Sequence, residues 1–205
     1  MIPAASSITP VRRRGRPGHD LSTVLAASVD VFNERGYDGT SMEDLSARLG
    51  IGKSSIYHHV ESKEALLRLA LDEALLALEQ AEQDVRAMAG PAVERLEILL
   101  RRSVQVLFDR LPYVTLLLRV RGNSEVERQA LTRRRRIDRL VAELVKEAVS
   151  DGALRPDIDP AVIARLLFGT VNSLTEWLKP SSKQTVGELE DVVVAVLFDG
   201  LRCKR

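Results

Sequence analysis

Between Thr40 and Lys63 the chain gathers groups suited to holding a polyanion: Thr40, Ser41, Lys53, Ser54, Ser55, Tyr57, His58, His59 and Lys63. Hydroxyls, imidazoles and ammonium groups donate to phosphate oxygens, and short or cationic side chains at a helix N-terminus can meet base edges in the major groove of a duplex. A second cationic cluster, Arg12, Arg13, Arg14 and Arg16, stands among nineteen residues that contain no acid. Within it Arg14-Gly15-Arg16-Pro17 has the form of an AT-hook core, whose arginines lie in the narrow minor groove of A·T-rich DNA. Other chemistry is missing. There is no nucleophile with a matched base, no metal-ligand spacing and no phosphate loop, so neither an enzyme nor a cofactor is expected. The single cysteine, Cys203, excludes an internal disulfide. His58 and His59, adjacent on a helix, point about 100° apart and make poor joint metal ligands; His19 lies far from both in sequence.

Two short helices position the first set. Ser41 can cap a helix whose third residue is Asp44, with Leu45 and Leu49 on one face and Gly50 as its stop. Gly50-Ile51-Gly52 is too short for a strand, and Lys53 to Val60 again has helical spacing through Ile56 and Val60. That arrangement spells helix-turn-helix. A hairpin of two ordinary core helices has the same outline, so the order of residues must decide. Upstream, Leu21, Val24, Leu25, Ser28 and Phe32 mark an amphipathic helix from Leu21 to Arg35, closed by Gly36, which predicts a three-helix domain. Tyr37 is expected in the core or at a domain contact.

The pattern Gly36-Tyr37, Thr40-Ser41-Met42, Leu45, Gly50, Ser54-Ser55-Ile56-Tyr57, His59-Val60 and Lys63-Glu64-x-Leu66 resembles the DNA-binding domain of the tetracycline-repressor-like (TetR) regulators. The likeness covers roughly the first third of the chain. Val60 stands where many members carry Phe, and His58 separates the matching Tyr57 and His59, which leaves the base preference open. The resemblance implies a DNA-binding one-component regulator whose recognition helix carries Lys53, Ser54 and Ser55 toward bases. Tyr57, His59 and Lys63 would reach phosphates.

The remainder reads as longer helices. Ser62 can cap one running through Leu66, Leu67, Ala70, Ala74, Leu78 and Ala81 toward Val85, a lever from the DNA-reading part into the rest. Its free N-terminal amides, beside Lys63, are suited to a phosphate. Gly90-Pro91 restarts a helix through Val93, Leu96, Leu100, Val104, Leu107 and Leu111, and Pro112 should interrupt it before a short apolar helix over Tyr113 to Arg121. Ser124 with Glu127 opens the next, with Ile137, Leu140, Val141, Leu144, Val145 and Ala148 buried. Its run Arg133 to Arg136 points in all directions, so at least one arginine must face inward or toward a neighbour, where it could meet an anionic ligand. Asp159-Pro160 begins another helix, and Thr185-x-x-Glu188 caps the last. The apolar run Val192 to Phe198 is compatible with a strand; the capping box and the spacing on to Leu201 favour a helix. Apolar on more than one face, that helix needs cover that the chain has no further element to supply, and a second subunit is expected to provide it.

With 205 residues, 45% of them hydrophobic and 29% charged, the chain can bury one substantial core, and its net charge of +1 says nothing for DNA by itself. No apolar run approaches the roughly 18 residues of a membrane span, and no secretory leader is apparent. The expectation is an all-α protein: a basic arm over 1–19, disordered when free, a helix-turn-helix domain over 20–65, and a larger effector and dimerisation domain over 66–205. The resemblance implies a homodimer formed by the last two helices, through Leu166, Thr170, Val193, Val196, Leu197 and Leu201. Two recognition helices would then sit about 34–36 Å apart on a palindromic operator. It also implies a small hydrophobic effector in a cavity, for which Leu67, Leu71, Val104, Phe108, Leu117, Leu118, Leu140 and Leu174 are candidates. The segment Trp177-Leu178-Lys179-Pro180 resembles a subgroup that responds to acyl-CoA thioesters, whose phosphates Arg119, Arg121 and Arg133 to Arg136 would hold. The expected setting is the cytoplasm, at the nucleoid. A ligand-independent DNA-binding or architectural protein is the alternative, disfavoured by an effector domain larger than a dimer contact requires.

Overall fold

The structure is a computed structural model and describes residues 20–178 and 185–201. The arginines of the arm, His19, Lys179, Pro180 and Cys203 lie outside those residues. The described residues form nine α-helices and no strand.

Helix α1 (Leu21–Arg35) is capped by Asp20, which accepts from the Thr23 amide and from the Ser22 and Thr23 hydroxyls. Those donors hold its carboxyl at about 2, below the usual aspartate range. Helix α2 (Met42–Leu49) opens with the expected capping box of Ser41 and Asp44 and ends at Gly50, whose φ of 64° is a left-handed conformation that glycine adopts without penalty. Helix α3 (Lys53–Tyr57) is shorter than its sequence spacing suggests, although the Val60 amide still donates to the Ile56 carbonyl.

Ser62 caps the lever α4 (Lys63–Ala87), which runs unbroken across the expected domain boundary. Helix α5 (Ala92–Asp109) passes through the middle of the larger part, and α6 (Leu111–Arg119) follows after a single residue. Pro112 does not interrupt here. It sits in the first turn of α6, where a helix needs no amide donor, so the helix begins at Leu111 rather than Tyr113. Helices α7 (Glu125–Ser150) and α9 (Val186–Asp199) each carry the capping box read from sequence, and α8 (Pro160–Trp177) begins with Asp159 ahead of Pro160.

The core is a continuous layer of leucine, valine and alanine in which α5 is surrounded by α4, α7 and α9. Leu96, Leu99, Leu100 and Val104 of α5 are fully enclosed. The cover for α9 is therefore partly internal: Leu189, Val193, Val194 and Phe198 are buried in their own chain, with α9 against α5. The outer flank of α8 and α9 is different. Val162, Leu166, Trp177, Val192 and Val196 are exposed there, and Leu166 and Val196 retain 60% and 69% of their accessible surface.

Candidate nucleic-acid interface and effector cavity

The recognition helix is held by one buried residue, Ile56, and its polar side chains are turned outward: Lys53, Ser54, Tyr57, His58 and His59 are exposed, Ser55 half-buried. Tyr57 keeps 49% of its surface. Lys53 pairs with Glu43 of α2 at the surface. Flanking surface pairs Arg35–Asp44 and Arg48–Glu34 join α1 to α2.

Three of the expected DNA contacts are instead engaged within the fold. Thr40 is 2% exposed, and its hydroxyl donates to the Gly36 carbonyl at 2.7 Å. The Ser41 hydroxyl is exposed but spent on the cap, accepting from the Asp44 amide and donating to the Asp44 carboxylate. Lys63 is held within the fold by two of its three donors. Its ammonium donates to the carbonyls of Tyr37 and Thr40, at 2.9 and 2.7 Å, and lies 4.3 Å from the centre of the Tyr37 ring. An ammonium held by two carbonyls and an aromatic face is a clamp on the α1–α2 turn. Tyr37 completes that clamp by meeting Phe32 edge to face at 5.3 Å; burial raises its phenol pKa, so it stays neutral.

The larger domain holds a narrow slot among α4, α5, α6, α7 and α8, with a volume of about 30 Å³. Its walls are mostly apolar: Leu78, Leu107, Val114, Leu117, Leu118, Ile137, Phe168 and Val171. Of the eight residues expected to line a cavity, only Leu117 and Leu118 do so. Leu67, Leu71, Val104, Leu140 and Leu174 are enclosed in the core, and Phe108 is half-buried against it away from the slot. The polar members of the wall are Ser103, Arg134, Asp138 and Asn172; of these Arg134 belongs to the run Arg133 to Arg136 expected to meet an anionic ligand, and the other three carry no such expectation. For Asp138 the sequence held a signal. Arg134 and Asp138 flank Ile137, four residues apart and thus on one side of α7. The Ser103 hydroxyl is satisfied by the Leu99 carbonyl at 2.8 Å. Desolvation raises the Asp138 carboxyl, opposed by the neighbouring charges of Arg134 and Arg135.

Helix α6 stands between this slot and the DNA-reading part. Val114, Leu117 and Leu118 face the slot. At the ends of the same helix, Asn33 of α1 donates to the Pro112 carbonyl at 2.8 Å, and Arg119 donates to the Asn33 carbonyl at 2.6 Å. Just beyond, Asn123 donates to Asp38 at 2.9 Å. Arg119 is thereby committed to α1. Arg133 is committed as well, chelating Glu79 at 2.7 and 2.8 Å and pairing with Asp72 on α4. The charge of Arg133 is thus already met by two carboxylates, whereas Arg119 has only a backbone carbonyl as its partner among the described residues.

Of the residues expected at a subunit contact, Leu166 and Val196 are exposed, while Thr170, Leu197 and Leu201 are half-buried. Val193 is 5% exposed and belongs to the chain's own core, a correction that follows from α9 packing on α5. Among the described residues no helix is long and apolar enough to cross a membrane.

Known proteins share this arrangement. A TetR-type structure from Streptomyces coelicolor A3, SCO3833, is 51% identical, covers 88% of this chain and 92% of its own, and superposes with a TM-score of 0.82. AibR, solved in complex with isovaleryl coenzyme A and operator DNA, is 27% identical over 87% of this chain and 97% of its own, with a TM-score of 0.72. The transcriptional repressor KstR2 of Mycolicibacterium smegmatis is 24% identical over 194 residues, 91% of this chain and 92% of that protein. Residues 24–70 match the model of bacterial regulatory proteins of the tetR family, and residues 89–201 match the tetracyclin repressor-like C-terminal domain. With both halves of the chain accounted for in this way, and the helix-turn-helix joined to an effector domain through α4 and α6, the protein belongs to the TetR family of DNA-binding transcriptional regulators.

Proposed function

We propose that the chain is a ligand-responsive repressor, working in the cytoplasm as a homodimer on a palindromic operator and released from it by a small, largely apolar effector. Residues 20–65 read DNA and residues 66–205 sense and dimerise. Lys53, Ser54 and Ser55 meet bases, and Tyr57, His58 and His59 meet backbone. The arm arginines add minor-groove contacts. Leu166 and Val196, with Val162, Val192 and Trp177, form the face that a second copy covers. Their exposure together on two adjacent helices supports that reading, since an apolar face of this kind marks an association site.

The observation that carries the effector reading is the double engagement of α6, whose apolar face lines the slot while its ends hold α1. A ligand that fits only a widened slot must displace α6, and α1 is then drawn with it. The population shifts away from the spacing that fits DNA by as much as the ligand's affinity for the two states differs. AibR, known bound to isovaleryl coenzyme A, makes acyl-CoA thioesters the first class to test.

The small slot favours a second reading, a regulator without an effector, because ligand sites commonly enclose about 300–1,000 Å³. One experiment separates them. Operator sequence is selected from random duplexes by the full chain, and affinity is then measured with and without a panel of acyl-CoA thioesters and free apolar acids. Release by at least one compound, with an unchanged melting temperature of the DNA-reading domain, supports the first reading. Indifference to the whole panel supports the second.

A further inference from the structure

The two acids at the start of α2 do different work. Asp44 closes the capping box with Ser41 and pairs with Arg35 of α1. Glu43 does neither. Among the described residues its carboxylate is bonded to Lys53 alone, the one charged side chain of α3. That pair joins the first turn of one helix to the first turn of the next, and both side chains stay open to solvent. The turn between the two helices is closed by reciprocal bonds: the Ser46 hydroxyl donates to the Ile51 carbonyl, and the Ile51 amide donates back to the Ser46 carbonyl at 3.3 Å.

On electrostatic grounds a carboxylate is out of place there. The N-terminal end of a recognition helix enters the major groove between two phosphate chains, which repel an acid beside it. Negative charge does favour the start of α2, but Asp44 already supplies it in the same turn. What Glu43 adds is a fixed orientation for Lys53. An ammonium has three donors, so with one held by Glu43 two are left. Guanine is the base whose major-groove edge carries two acceptors side by side, O6 and N7; adenine sets N7 beside a donor, thymine sets O4 beside a methyl, and cytosine presents a donor.

Resting on the reading that Lys53 meets bases, we infer that Glu43 is a specificity-determining residue of the DNA interface: it orients the Lys53 ammonium toward O6 and N7 of one guanine in each half-site. The same carboxylate lowers the attraction of this end of the helix for phosphates in general. The pair thus gives up affinity for DNA of any sequence and gains preference for one base. Without Glu43, Lys53 is a mobile point charge that settles on a phosphate or on any base acceptor within reach.

The test uses the full chain as wild type, Glu43→Ala, Glu43→Gln and Lys53→Gln. Each is taken through selection from random duplexes, and its affinities for the wild-type operator, for single-base variants of that operator and for a random duplex are measured by fluorescence anisotropy at several salt concentrations. Wild type should favour guanine about tenfold at one position of each half-site, and Lys53→Gln should lose that preference. Glu43→Ala should lose most of it as well, while binding the random duplex at least about threefold more tightly, with a salt slope steeper by up to about one unit. Glu43→Gln keeps a carbonyl oxygen for the ammonium and should retain more of the preference than Glu43→Ala. Both side chains are exposed, so melting temperatures within about 3 °C of wild type are expected throughout. A guanine preference lost in Lys53→Gln but intact in Glu43→Ala overturns the role of Glu43 and leaves Lys53 a reader of bases. Base preferences unchanged in Lys53→Gln overturn both readings. A base other than guanine at the position that Lys53 reads, or a Glu43→Gln variant as deficient as Glu43→Ala, overturns the orientation of the ammonium, the second by assigning the effect to charge at the start of α2.

Discussion

The helix-turn-helix part, α1 to α3, and the larger part, α4 to α9, use polar residues in opposite ways. In the first, residues that look like ligand contacts turn out to build the scaffold: Thr40 closes a turn and Lys63 clamps it. In the second, leucines that look like a cavity wall turn out to be core, and the charged residues Arg134 and Asp138 border the slot. Residue order therefore locates each site, but which side chains remain free there is decided by partners brought in from elsewhere in the chain.

Breaking the apolar flank should have the largest effect, because it removes the geometry that serves both parts. Leu166→Asp with Val196→Asp is expected to give a monomer by light scattering and to weaken operator binding more than about a hundredfold, since each half-site is then bound alone. A dimer that persists would place the subunit contact elsewhere.

Core and slot separate next. Leu67→Ala should destabilise by about 3 kcal/mol in chemical denaturation, the range for a leucine lost from a closed core, and leave effector preference unchanged. Leu118→Ala should cost less and alter which probes bind. A changed ligand profile for Leu67→Ala would return it to the cavity wall.

The clamp sharpens the contrast on the DNA side. Lys63→Met should cost about 2 kcal/mol of stability, because two carbonyls lose a charged donor. The salt dependence of DNA binding should be unchanged; a slope smaller by about one unit would mean that Lys63 neutralises a phosphate after all. Tyr57→Ala sits at the other extreme. It should leave stability alone and weaken binding about tenfold across sequences, as measured by anisotropy.

How much of this was legible follows from the range of the forces involved. Helix starts were readable because caps are local: Ser41 with Asp44, Ser124 with Glu127 and Thr185 with Glu188 each close within three residues, and all three boxes form. The helix choice for Val192 to Phe198 followed from the last of these. Pro112 was misjudged because a proline at the first turn and a proline that breaks a helix differ only in what precedes them. The slot was not legible, since a leucine in a closed core and one facing a void have the same spacing on their helix. Nor were the partners of Lys63 and Arg133, which lie from 23 to 61 positions away in sequence.

The account turns on the slot being coupled through α6 to the spacing of the DNA-reading helices, and two substitutions at one position test it. Leu118→Phe adds a ring that the closed slot can accommodate, whereas Leu118→Trp overfills it and imitates an effector. Operator affinity of the purified dimer, measured by fluorescence anisotropy on the selected palindrome, should be unchanged for Phe and at least about tenfold weaker for Trp. A folded, dimeric Leu118→Trp protein that binds its operator as tightly as wild type would contradict that coupling.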